Sequence, residues 1–177
     1  MPNRRVAIQQ LLLIWAGVSF LPSCLHDEKK TSIPFHSIGI TPDNEQMLAD
    51  LAETILPKTD TPGAKDLSAH LFALKMVDDC FTKSNQKKFI AGMKDFEAWV
   101  QKKTGKSFSS LTVAERQALI TPLDGGAYDA DGMDFFYNSV KHLTIQAYTT
   151  GEYFMTKIRG YKMIPGTFQG CIPLKTA

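Results

Sequence analysis

The chain has 177 residues, 44% of them apolar, with 20 basic and 18 acidic side chains and a formal net charge of +2. That length holds one domain with a real apolar core and is too short for two. The near-neutral balance excludes a nucleic-acid binder that works by bulk charge.

Residues 1–23 read as a signal peptide: a basic head with Arg4 and Arg5, then an apolar stretch from Leu11 to Leu21. A stretch of eleven residues falls short of the roughly 18–20 that span a bilayer. Leu21-Pro22-Ser23-Cys24 resembles a bacterial lipobox, in which the Cys24 thiol is acylated and cleavage leaves Cys24 as the new N-terminus; an uncleaved anchor or an ordinary signal peptide with an incidental cysteine is the alternative. Adjacent Arg4 and Arg5 also resemble a twin-arginine signal, the address of folded export, although Ala7 and Gln9 depart from that pattern and leave the ordinary secretory route open. Removal of the leader takes away two arginines and leaves 18 basic against 18 acidic groups. The expected location is the periplasmic side of a bacterial membrane, held there by lipid.

Residues 24–40 are polar and aperiodic and read as the linker between lipid and domain, with the domain itself spanning 41–177. Thr41-Pro42 opens a helix with Leu48, Leu51 and Ile55 on its apolar face, and Pro57 ends it. Pro57 to Ala64 is a turn in which Thr59, Asp60 and Thr61 bond nearby backbone, Pro62 fixes φ and Gly63 leaves it free. A second helix, from Asp66 or Ser68, carries Leu67, Leu71 and Leu74 and runs to Cys80. His70 lies on it with no cluster of ligands that zinc would need.

Ser84 is placed to cap a third helix, where Phe89, Met93, Phe96 and Val100 repeat at four, three and four until Gly105. Thr112 to Glu115 fits a capping box for a short helix through Ile120, stopped before Pro122. Asp124 to Gly132 reads as an acidic glycine loop. The longest helical pattern follows, from about Asp134 to Ile158, with Gly151 placed to bend or split it. Phe135, Tyr137, Tyr148, Tyr153 and Tyr161 are more aromatics than one buried stripe holds, so part of them suits a surface that meets a partner. The tail from Met163 to Leu174 is expected to be extended and to wrap the helices. No strand pattern is evident, and the class expected is a single all-α domain of about five helices with an extended C-terminal tail.

With Cys24 acylated, Cys80 and Cys171 remain in an oxidising compartment. They are expected either to form one disulfide, worth roughly 2–4 kcal/mol in chain-entropy models, or to stay as two buried thiols. No dinucleotide fingerprint, haem-attachment motif, iron–sulfur ligand set or nucleophile with its base is present. The residues themselves therefore imply no catalytic, cofactor-binding or metal site.

Ile55 to Asp66 with His70, Thr150 to Thr156, and Gly160-Tyr161 through Pro165-Gly166 to Gly170-Cys171 together resemble the gluconate 2-dehydrogenase subunit 3 family, over about Thr41 to Leu174. The resemblance implies a small accessory subunit of a membrane-associated, FAD-dependent sugar or sugar-acid dehydrogenase. It implies that the FAD sits in a partner flavoprotein of the glucose-methanol-choline type, with electrons passed to a cytochrome c. In that setting Thr59, Asp60, Pro62, Gly63, His70, Tyr153, Phe154 and Tyr161 are docking candidates, and none is catalytic.

Overall fold

The computed structural model describes residues 31–126, 128, 131–164, 166, 170 and 171. The chain divides into residues 1–30 and residues 31–177, and the fold is that of the second unit. Arg4, Arg5 and Cys24 lie outside the described residues.

Among the described residues the domain holds five α-helices and no strand: α1 Pro42–Ile55, α2 Ala69–Cys80, α3 Lys83–Thr104, α4 Val113–Asp124 and α5 Asp131–Thr150. A 3-10 turn, Phe108–Ser110, precedes α4, and a π-helical turn, Phe154–Ile158, follows α5. The all-α reading and the split at Gly151 both hold.

Local chemistry explains most boundaries. Thr41 and Asn44 satisfy each other's backbone in a capping box at the start of α1, with Pro42 in the first turn. Thr112 and Glu115 do the same for α4. Gly105, at φ 70°, ends α3 in the left-handed conformation that a side chain resists. Thr82, rather than Ser84, caps α3 by accepting from Asn85 N–H at 3.3 Å.

Helix α4 runs through Pro122 instead of stopping before it. Proline removes one hydrogen bond in the last turn, but Ile120 and Leu123 are fully buried, and that burial carries the helix onward.

The extensive α3–α5 contact is the centre of the fold. Phe89, Phe96 and Phe136 stack across it, with ring centroids 5.1 Å apart for Phe89–Phe136 and 5.6 Å for Phe96–Phe136. Phe108 closes one end against Phe96 at 5.3 Å. Such tilted pairs add to the burial of large apolar area. Tyr137 joins this core, with its hydroxyl donating to Asp124 at 2.9 Å.

The backbones approach closely at one point. A Cβ on Gly92 would lie 2.0 Å from the Gly132 carbonyl oxygen and 2.8 Å from the Phe136 Cβ. Gly132, expected in a loop, is therefore the second residue of α5 and part of the packing.

Residues 31–40, expected as the end of a linker, lie against the domain. The Ser32 N–H donates to Glu45 at 2.8 Å, and its hydroxyl bonds the same carboxylate. The Asp78 carboxylate accepts from the N–H groups of His36, Ser37 and Ile38 at 2.8, 2.7 and 3.1 Å. Ile38 enters the core at 6% exposure, so the segment is held by apolar burial as well as by charge.

Cys80 and Cys171 are both free and exposed, and Cys80 Sγ rests 4.0 Å from Met76 Sδ. Neither the disulfide nor two buried thiols is found in this structure. Met163 and Ile164, the first residues of the expected wrapping tail, are likewise exposed.

Gly92→Ala gains about 1 kcal/mol of helix propensity. It also forces a methyl group into a backbone carbonyl that no rotamer change can move, an overpacking cost of about 3 kcal/mol. Urea unfolding should show a net loss of about 2 kcal/mol, whereas Gly39→Ala, with open space at its Cβ, should stay within about 0.5 kcal/mol. Asp78→Ala should release residues 31–40, seen as faster limited proteolysis there while the helices remain protected.

Candidate docking site

Two of the segments singled out in the sequence, the 57–66 turn and the region after Gly151, are surfaces of different kinds. The first is rigid and built from inside. Glu53, in the last turn of α1, turns its carboxylate into the loop and accepts from Lys58 N–H at 3.1 Å and Lys65 N–H at 2.8 Å.

Gly63 lies on that carboxylate: a Cβ there would sit 2.6 Å from Glu53 Oε1 and 2.7 Å from Lys58 N. Its N–H donates to Asp66 at 3.2 Å, and Ala64 N–H reaches Leu56 O at 2.9 Å. Ala64 is fully buried with Ala52, Ala69 and Ala147. Thr59 and Asp60 form the exposed tip, Pro62 is half-buried and Gly63 is buried.

Beneath the loop lies a buried ionic cluster. Asp50, at 3% exposure, pairs with Lys65 from the loop and with Arg116 from α4 at 3.0 Å. Arg116 also donates to the carbonyls of Phe108 at 3.1 Å and Ser109 at 2.7 Å. One carboxylate thus ties α1, the loop, the 3-10 turn and α4 together.

Burial by itself raises the Asp50 carboxyl. Hydrogen bonds from Lys65, Gln46 and Ser109 and the charge of Arg116 outweigh it and hold it below the usual carboxylate range. Burial likewise lowers the His70 imidazole, against the pull of Glu45. His70 is half-buried, and its Nδ1 is enclosed without a hydrogen-bond partner.

The second surface follows Gly151. Tyr153 and Phe154 are half-buried and pack on Tyr148, with ring centroids at 6.3 and 5.7 Å. Beyond them Ile158, Tyr161, Met163 and Ile164 are 53%, 56%, 85% and 83% exposed. Four large apolar side chains exposed within seven residues are more than the scatter expected of a monomer surface.

No group of three or more His, Cys, Asp or Glu placed to hold a metal occurs among the described residues. Asp124, at the start of the acidic glycine stretch, accepts from Lys141 and Tyr137. Asp129 and the Asp131 side chain lie outside the described residues.

The sequence reading did not single out Glu45, Asp50, Glu53, Asp78 or Arg116. A signal was present: Asp50 falls between Met47 and Thr54 on the buried side of α1, and Asp78 stands one turn after Leu74. A carboxylate in phase with an apolar stripe marks a buried partner.

The arrangement is that of a small helical module with an internally locked loop and an apolar, exposed C-terminal segment. The family model described as gluconate 2-dehydrogenase subunit 3 matches residues 42–166, from the first residue of α1 to beyond the exposed apolar run, and the chain belongs to that family. No curated protein and no solved structure matches it.

Asp50→Ala leaves Arg116 and Lys65 without their carboxylate and should cost about 3 kcal/mol in urea unfolding. Because the folded pKa of Asp50 is depressed, its contribution is fully present above the ordinary carboxyl pKa of about 3.9. It is lost as pH falls through the folded value. Acid unfolding followed by circular dichroism should therefore be less steep below about pH 4 in the variant than in the parent.

Proposed function

We propose that this chain is the small, non-catalytic subunit of a membrane-associated, FAD-dependent sugar or sugar-acid dehydrogenase. Its work is to accompany the flavoprotein through export, support its maturation and tether it to the membrane through Cys24. Family membership supports the role of a subunit in a dehydrogenase complex.

The observation that carries the reading is the set of exposed apolar side chains Ile158, Tyr161, Met163 and Ile164, interleaved with Arg159 and Lys162. Left in water it is a liability; covered by a larger chain it supplies the buried centre of an interface. The locked 57–66 loop offers a rigid second contact through Thr59 and Asp60, at little cost in ordering on binding.

The strand, glycine turn and helix with which a doubly wound fold holds a dinucleotide do not occur among the described residues. In this reading the flavin and the substrate site belong to a glucose-methanol-choline-type partner, which passes electrons to a cytochrome c. The substrate is set by that partner.

A second reading, a free-standing lipoprotein that binds a small molecule, is favoured by one feature. A cleft of about 670 Å³ between α1, α3 and the 3-10 turn is lined by Gln46, Lys94, Glu97, Gln101, Ser107 and Ser109 among others. It has the size of a ligand pocket.

Expressed with its genomic neighbours and purified through a C-terminal tag, the chain should bring down a protein with flavin absorbance and sugar-dependent dye reduction. Tyr161→Ala combined with Met163→Ala should reduce the recovered flavoprotein by about tenfold or more, as expected for truncation of interface anchors. A colourless single chain, recovered from cells that express the unsubstituted sequence, would contradict the subunit reading and favour the lipoprotein.

A further inference from the structure

Helix α3 is the most basic element of the fold, with six lysines against Asp95 and Glu97 in a chain whose net charge is only +2. Spacings of four and seven residues place Lys83, Lys87 and Lys94 on one helix face. All three are exposed, and none is ion-paired among the described residues. Lys83 Nζ donates to Ser37 Oγ at 2.7 Å.

With Ile90, Ala91 and the docked segment Ser37–Gly39 they line a cleft of about 360 Å³: cations at the rim over an apolar floor. Acidic groups near it are spoken for or lie to one side. Asp78 is saturated by three backbone amides, Asp79 pairs with Lys75, and Asp43 and Glu97 stand beyond Lys94 in the neighbouring cleft.

The other wall of the cleft, Ser37–Gly39, belongs to the docked segment through which the chain runs back toward Cys24. Its attachment to the domain begins at Ser32, bonded to Glu45. Only six residues, 25–30, then separate Cys24 from Thr31, and the seven steps between the two reach at most about 25 Å. That is shorter than the width of a domain of this length, on the order of 40 Å. A face lined by Ser37–Gly39, which begin five residues past Ser32, stays near the membrane on so short a tether.

We infer that the Lys83–Lys87–Lys94 face of α3 rests on an anionic bilayer surface, the lysines meeting phosphate headgroups and orienting the domain on its tether. The inference builds on Cys24 as the lipid anchor. It assigns a separate task to each surface: α3 faces lipid and the segment after Gly151 faces the partner subunit.

The test uses the full acylated chain in vesicles, with lysine reactivity toward an amine-modifying reagent read by mass spectrometry. One vesicle is phosphatidylcholine alone and the other contains phosphatidylglycerol. Flotation with the neutral vesicles reports acylation independently; a chain that fails to float there has no lipid anchor, which sinks the tether reading and with it this orientation.

In floated protein, labelling of Lys83, Lys87 and Lys94 should drop several-fold when phosphatidylglycerol is present, while Lys141 and Lys157 stay unchanged. Each lysine near an anionic surface contributes roughly fivefold, so on the order of a hundredfold for three. Lys83→Gln/Lys87→Gln/Lys94→Gln, with an unchanged circular dichroism spectrum, should erase a preference of about that size for phosphatidylglycerol in vesicle-to-vesicle transfer. Equal labelling in both vesicles, or protection of the same lysines by the flavoprotein in neutral vesicles, would overturn the assignment.

Discussion

The contact between Gly92 and Gly132 is the constraint from which the rest of the packing follows. With no side chain on either residue, the α3 and α5 backbones meet where any Cβ on residue 92 would overlap the facing carbonyl. That approach lets Phe89 and Phe96 reach Phe136 across the crossing. Helices α1 and α2 then pack on the resulting pair, and Phe108 seals its end. Two glycines, weak helix formers on their own, are kept within helices by the aromatic area that their closeness allows to be buried.

Around this core, four carboxylates fix segments that have no regular structure. Glu45 and Asp78 hold residues 32–38, Glu53 holds the 57–66 loop, and Asp50 joins that loop to α4 through Lys65 and Arg116. The chemistry is common to all four. Backbone N–H groups or cations that would otherwise lack partners converge on an anion, and a charged acceptor makes the stronger hydrogen bond. The consequence is a body whose irregular segments are held from within and which exposes large apolar side chains at one place, a form suited to meeting a larger partner.

Elements governed by local signals were readable in the sequence: the capping residues Thr41 and Thr112, the αL stop at Gly105, the apolar repeat of α3 and the break at Gly151. Readings failed where tertiary packing outweighed the local signal. Pro122 does not end α4 because Leu123 has a place in the core, and Gly132 belongs to a helix because Gly92 lies opposite it. Residues 31–40 look like linker because their partners, Glu45 and Asp78, are distant in sequence. Cys80 and Cys171 offered two plausible states, yet the structure leaves both thiols exposed and unpaired. Of the docking candidates, Thr59, Asp60 and Tyr161 are exposed as a contact needs, whereas Gly63 serves the loop from within.

Hydrogen exchange across the chain, measured alone and then bound to the flavoprotein proposed as its partner, tests the central claim most directly. The account predicts slowed exchange concentrated at residues 154–164, little change in the already protected 57–66 loop, and none along the outer face of α3. Protection confined to other helices, with 154–164 exchanging as freely in the complex as outside it, would contradict it.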